Sequence, residues 1–74
     1  RKMNYTDFLI QKFEKKDAKY LAQEYKLAQL LIKSKNIGEN TVGKNIMSAI
    51  DYILELKDML FQKSFNNYLR VWNE

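Results

Sequence analysis

The chain has 74 residues, 46% hydrophobic and 30% charged, with no cysteine, histidine or proline. That is enough apolar material for one small core, and it excludes disulfides, thiolate metal sites and an imidazole general base. The net charge of +4 is unevenly placed, because nine of the 13 Lys and Arg fall in residues 1–36 beside only four of the nine Asp and Glu.

Two glycines and no proline leave few sharp turns, which favours a few long helices over many short strands. Residues 6–13 place Phe8, Leu9 and Phe13 on one helical face, with Asn4 or Thr6 as the N-cap. Glu14, Lys15, Lys16 and Asp17 do not continue that face, and Asp17 suits the cap of the next helix. From 18 to 35 the apolar positions Leu21, Tyr25, Ala28 and Ile32 alternate spacings of four and three. Lys19, Lys26 and Lys33 recur every seven residues on the other side of that helix.

The stretch NIGENTVGKN, residues 36–45, holds both glycines and reads as a joint. Asn36 or Gly38 in a left-handed conformation would end one helix, and Asn40 or Thr41 would cap the next. Gly43 inside the following helix suits a close approach by a neighbour. Val42, Ile46, Ala49, Ile53, Leu56 and Leu60 then continue the four-three alternation, which predicts one helix over about 40–62. Ser64 reads as the cap of a short last helix carrying Phe65, Tyr68, Leu69 and Trp72.

Chemistry-bearing motifs are sparse. Asp51, Glu55 and Asp58 stand at i, i+4 and i+7, but one helix offers few of the six or more oxygens a Ca²⁺ site takes, so they read as a solvated face. Ser34, Ser48 and Ser64 have no histidine to activate them, and no Gly-x-Ser-x-Gly, Walker or dinucleotide pattern occurs. No catalytic, cofactor-binding or metal-binding residue is assigned, and neither a cofactor nor a small-molecule substrate is expected.

Two interaction readings remain. Met47, Tyr52 and Met59 lie off the main seam and are residue types that partner surfaces favour. Lys12, Lys16, Lys19, Lys26 and Lys33 form a basic stripe suited to phosphates or an acidic partner, with Tyr5 and Tyr20 available for stacking. Lys44, Asn45 and Ser48 would join them through Ile37-Gly38-Glu39-Asn40-Thr41-Val42 with Ile46, which resembles the turn and recognition-helix start of LuxR-type helix-turn-helix regulators. That resemblance implies side chains in a DNA major groove. The chain departs from the family at Ile32, where a small residue belongs, and at Lys35, where an aliphatic one does. Thr6-Asp7-Phe8-Leu9, Ser48-Ala49 with Asp51 and Leu54, and a terminal helix with Trp72 are similar in order to the small Hha/YmoA nucleoid-modulating proteins. Those are four-helix chains that act through an H-NS-type protein partner.

The sequence therefore predicts a single all-α domain over 1–74. It is a bundle of three to four helices, two of them long and antiparallel (about 18–35 and 40–62) between short N- and C-terminal helices. The leading functional expectation is a non-catalytic binding or regulatory module that works by protein–protein contact with a partner or a second copy. The alternative is a small basic DNA-binding regulator with a helix-turn-helix-like element at 31–50. No apolar run exceeds four residues, against the roughly 20 needed to span a bilayer. No membrane partner is expected, and the location expected is cytoplasmic or otherwise intracellular.

Overall fold

The computed structural model of the chain describes residues 4–73, and their regular structure is entirely helical. The helices are α1 (Tyr5–Phe13), α2 (Ala18–Ile32), α3 (Ile37–Leu56) and α4 (Met59–Asn73). Residues 1–3 and 74 of the expected domain lie outside the described residues.

Each helix begins where a short polar side chain accepts from a backbone amide three residues on. Asn4 takes the Asp7 N–H and Asp17 the Tyr20 N–H, both at 2.8 Å. Asn36 takes the Glu39 N–H at 3.0 Å and Asp58 the Phe61 N–H at 2.9 Å. Such caps satisfy amides that the helix cannot and contribute about 1 kcal/mol each.

The helix expected over about 18–35 ends at Ile32, and two further expected boundaries move. The third helix starts at Ile37 and not near residue 40, so Gly38 lies in its first turn. No described residue has a positive φ, so neither Asn36 nor Gly38 is a left-handed stop. The cause is an N-cap relayed through Ser34: the Asn36 side chain caps, while the Ser34 hydroxyl accepts the Asn36 N–H at 3.1 Å and donates to the Glu39 carboxylate at 2.7 Å. Asn40, freed from capping, donates its side-chain amide to the Ile32 carbonyl at the end of α2. The second shift divides the expected 40–62 helix at Lys57 and Asp58. Lys57 is extended, Asp58 restarts the chain as α4, and Ser64 falls mid-helix as an ordinary exposed position. Gln62 closes this elbow by donating to the Leu54 and Lys57 carbonyls at 2.9 and 3.2 Å. The C-terminal helix is thus as long as α2, at 15 residues each.

α2 is the hub, packing on both α3 and α4, while α1 packs on α3. α2 and α3 run antiparallel: Gly43 meets Ala28, Leu31 and Ile32 near the turn, and Asp51 meets Tyr25 further along. The core joins Leu9 and Phe13 of α1, Leu21, Ala22 and Ala28 of α2, Ile46, Ala49, Ile50 and Ile53 of α3, and Phe65 of α4. Phe65 stands edge-on to Tyr25 with ring centroids 5.5 Å apart, which ties α4 to the hub.

The domain is flat, 35 × 33 × 14 Å, with a radius of gyration of 12.4 Å against about 11 Å for a compact chain of this length. A flat body covers less of its helices. Phe8, Leu56 and Leu60 fit the expected apolar stripes yet lie 52%, 67% and 76% exposed, because no element packs over them.

Candidate interaction site

The structure distributes Met47, Tyr52 and Met59 over two helices. Met47 is half-buried and packs on the core. Tyr52, five positions on, is rotated from it by about 140° around α3, and Met59 belongs to α4.

Half of the large apolar side chains left uncovered, Leu56, Met59, Leu60, Tyr68, Val71 and Trp72, lie along α4 and the elbow before it, and the other half are spread over α1, α2 and α3. Phe61, Phe65 and Leu69 face α2 and are buried or half-buried. Beside them Leu60, Ser64 and Val71 share about 40° of arc, with Leu60 76% and Val71 63% exposed, and Tyr68 fills the space between the two stripes. Leu56 and Met59 extend the exposed surface around the elbow. A groove of about 410 Å³ runs between the first turn of α2 and this stripe, with Ala18, Leu60, Phe61 and Tyr68 in its wall and Asp17, Lys19 and Asp58 at its rim. The sequence did carry this signal, since Leu60, Tyr68 and Val71 are apolar positions that the Phe61-Phe65-Leu69 stripe leaves over. Reading 40–62 as one helix hides it by assigning Leu60 to the wrong element.

Lys12, Lys16, Lys19 and Lys33 are exposed, and Lys26 is half-buried. Lys19, Lys26 and Lys33 stay within about 40° of arc, on the side of α2 away from the Ala28, Leu31 and Ile32 positions that meet Gly43. The stripe therefore points away from α3. On α3, Lys44 and Ser48 are exposed and Asn45 is half-buried. Lys44 and Ser48 share about 60° of arc with Asp51 and Glu55, so the face expected to read base edges carries two carboxylates beside one ammonium. The turn in the helix-turn-helix likeness is helical here, since Ile37, Gly38 and Glu39 form the first turn of α3.

Asp51 and Tyr25 form the one titrating contact of note. Burial is the main cause that raises the Asp51 carboxyl above its ordinary value. The Tyr25 hydroxyl hydrogen-bonding to it acts the other way, and the Glu55 charge adds to the rise. The Tyr25 hydroxyl is raised as well, by burial first and then by the Asp51 charge and hydrogen bond. A carboxyl whose folded-state value lies above its unfolded one stabilises the fold below the unfolded value, about 3.9, and that contribution is lost as pH rises through the folded value. Asp51→Asn keeps an acceptor for Tyr25 and removes the charge. It should raise the melting temperature slightly at pH 7 and not at pH 3, as read by circular dichroism at both.

Asp58 caps α4 and has left the Asp51, Glu55 face. Among the described residues no group of three or more Asp, Glu, His or Cys comes together to hold a metal ion. No helix of the described residues is long and apolar enough to cross a membrane. No protein-family model matches the chain, and no curated protein or solved structure is similar enough to it to count as a match.

Proposed function

We propose that this chain is a non-catalytic helical module that binds a protein partner through α4. The single observation that carries this reading is the width of the apolar arc on α4, about half of which α2 covers. Leu60 and Val71, 76% and 63% exposed, stand in line on the half left open. Exposed apolar stripes of this kind are costly to keep in water and mark surfaces completed by another helix. The adjacent groove gives such a helix a wall to lie against, and its rim charges of both signs give register.

Leu60→Ser with Val71→Ser tests the reading. Both residues are exposed, so the melting temperature should hold within about 3 °C. Binding should fall by more than tenfold, measured by sedimentation equilibrium for self-association and by quantitative cross-linking for a partner. If neither assembly nor partner capture depends on these two residues, the reading is lost. The competing DNA-regulator reading has the positive charge of the chain in its favour. Lys44 shares its face with Asp51 and Glu55, however, which weighs against a duplex-reading α3.

A further inference from the structure

The N-terminal half holds an unexplained surface that is independent of α4. Tyr5 and Phe8 lie on α1, 46% and 52% exposed, with rings inclined by only 21° and centroids 6.4 Å apart. Lys12 shares their side of the helix, within about 60° of arc. Lys15 and Lys16 follow, exposed, in the turn to α2. Of the three acids of this segment, Asp7 and Glu14 fall about 130–150° around the helix from the middle of that arc, and Asp17 at the end of the turn is engaged in capping α2 through the Tyr20 N–H. Aromatic faces and the Lys12 ammonium are thus gathered on one side of α1, with the Asp7 and Glu14 carboxylates on the other.

We propose that this face of α1 and the turn after it bind single-stranded nucleic acid, the rings stacking on unpaired bases and Lys12, Lys15 and Lys16 meeting the phosphates. Three features select this occupant. The charge is complementary to a phosphate backbone, and the first half of the chain holds nine of the 13 Lys and Arg. Half-exposed ring faces suit bases already out of a duplex, and stacking on them is tolerant of sequence. An anionic membrane fits less well, because Leu9 and Phe13 are buried in the core and the apolar face left open on α1 is limited to the two half-exposed rings, too narrow to seat a helix in a bilayer. Lys16 also lies 4.9 Å from the Tyr20 ring centroid, a contact that holds its stem against the body of the domain while its ammonium stays at the surface.

The test is fluorescence anisotropy of a labelled 20-nucleotide oligo(dT), in 20 mM and 200 mM salt. Binding should be detectable at 20 mM, with a slope of log affinity against log salt of about −2, as three phosphate contacts on a single strand give. Tyr5→Ser with Phe8→Ser should weaken binding about tenfold or more and leave the slope unchanged. Lys12→Gln, Lys15→Gln and Lys16→Gln together should flatten the slope. Phe8→Ser alone, at the more exposed ring, gives a smaller loss in the same direction if the double variant proves unstable. Leu60→Ser with Val71→Ser should leave oligonucleotide binding intact. No binding at 20 mM salt overturns the proposal. So does equal or tighter binding to a 20-base-pair duplex, indifference to the ring variants, or retention on phosphatidylserine vesicles without oligonucleotide binding.

Discussion

Gly43→Val should lower the melting temperature by about 10 °C or more, the drop that a loss of 2–3 kcal/mol produces in a domain of this size. A Cβ at this position would stand 2.8 Å from the Ala28 carbonyl oxygen and 2.9 Å from the Leu31 Cβ. The first of these is backbone in the middle of the hub helix, which cannot rotate aside as a side chain does. α3 must therefore lift from α2, and the layer of Ala28, Ala49 and Ile50, each fully buried, opens with it. Gly43→Ala is the informative control. It gains about 1 kcal/mol of helix propensity and meets the same two atoms, so its net loss should be smaller. The total stability to be spent is only about 4–11 kcal/mol for 74 residues. A melting temperature unchanged in Gly43→Val would mean that α2 and α3 do not approach this closely.

That close approach was legible in the sequence because a glycine well inside an apolar-periodic helix has few other uses. Asn4 and Asp17 as caps were legible for a similar reason, since each precedes a helical pattern and offers an acceptor at the right distance. The elbow at Lys57 and Asp58 was not. Leu56 and Leu60 stand four residues apart and continue the stripe of α3 without interruption, so periodicity argues for one helix. Periodicity shows which side chains share a face and says nothing of whether a neighbour covers it. The break follows from tertiary packing: only a chain that turns back at Asp58 brings Phe65 to Tyr25 and closes the hub. Asn36 did carry the N-cap signal that starts α3 at Ile37, but Gly38 is an equally ordinary sign of a turn, and local sequence alone does not rank the two. The exposed stripe on α4 is hidden in the sequence for the same physical reason. Residue type alone singles out Met47, Tyr52 and Met59, whereas exposure is decided by the flatness of the whole domain, which leaves α4 at an edge with α2 as its main support.

Phe65→Ala tests that support directly and should cost about 3–5 kcal/mol, the range for truncating a buried aromatic side chain. Among the described side chains of α4, Phe65 is the one in the buried core, 3% exposed, and its edge-on contact with Tyr25 adds to the loss. The others that are not exposed, Phe61, Gln62 and Leu69, are half-buried. The loss should therefore appear first as undocking of α4 and not as collapse of α1 to α3, which keep Leu9, Phe13, Leu21, Ile50 and Ile53 of the shared core among themselves. Hydrogen exchange read by mass spectrometry should show the α4 amides exchanging far faster while those in the middle of α2 and α3 keep more of their protection. Uniform acceleration across all four helices would show instead that α4 is an integral part of one cooperative unit. The distinction bears on binding, because a partner helix that uses Leu60 and Val71 needs α4 held at a fixed angle on α2. Phe65→Ala should then lose partner binding by releasing the platform, with the α4 amides exposed. Leu60→Ser with Val71→Ser should lose it with α4 still docked and its amides protected. Stacking of oligonucleotides on α1, which rests on α3, should survive both changes wherever the first three helices remain folded.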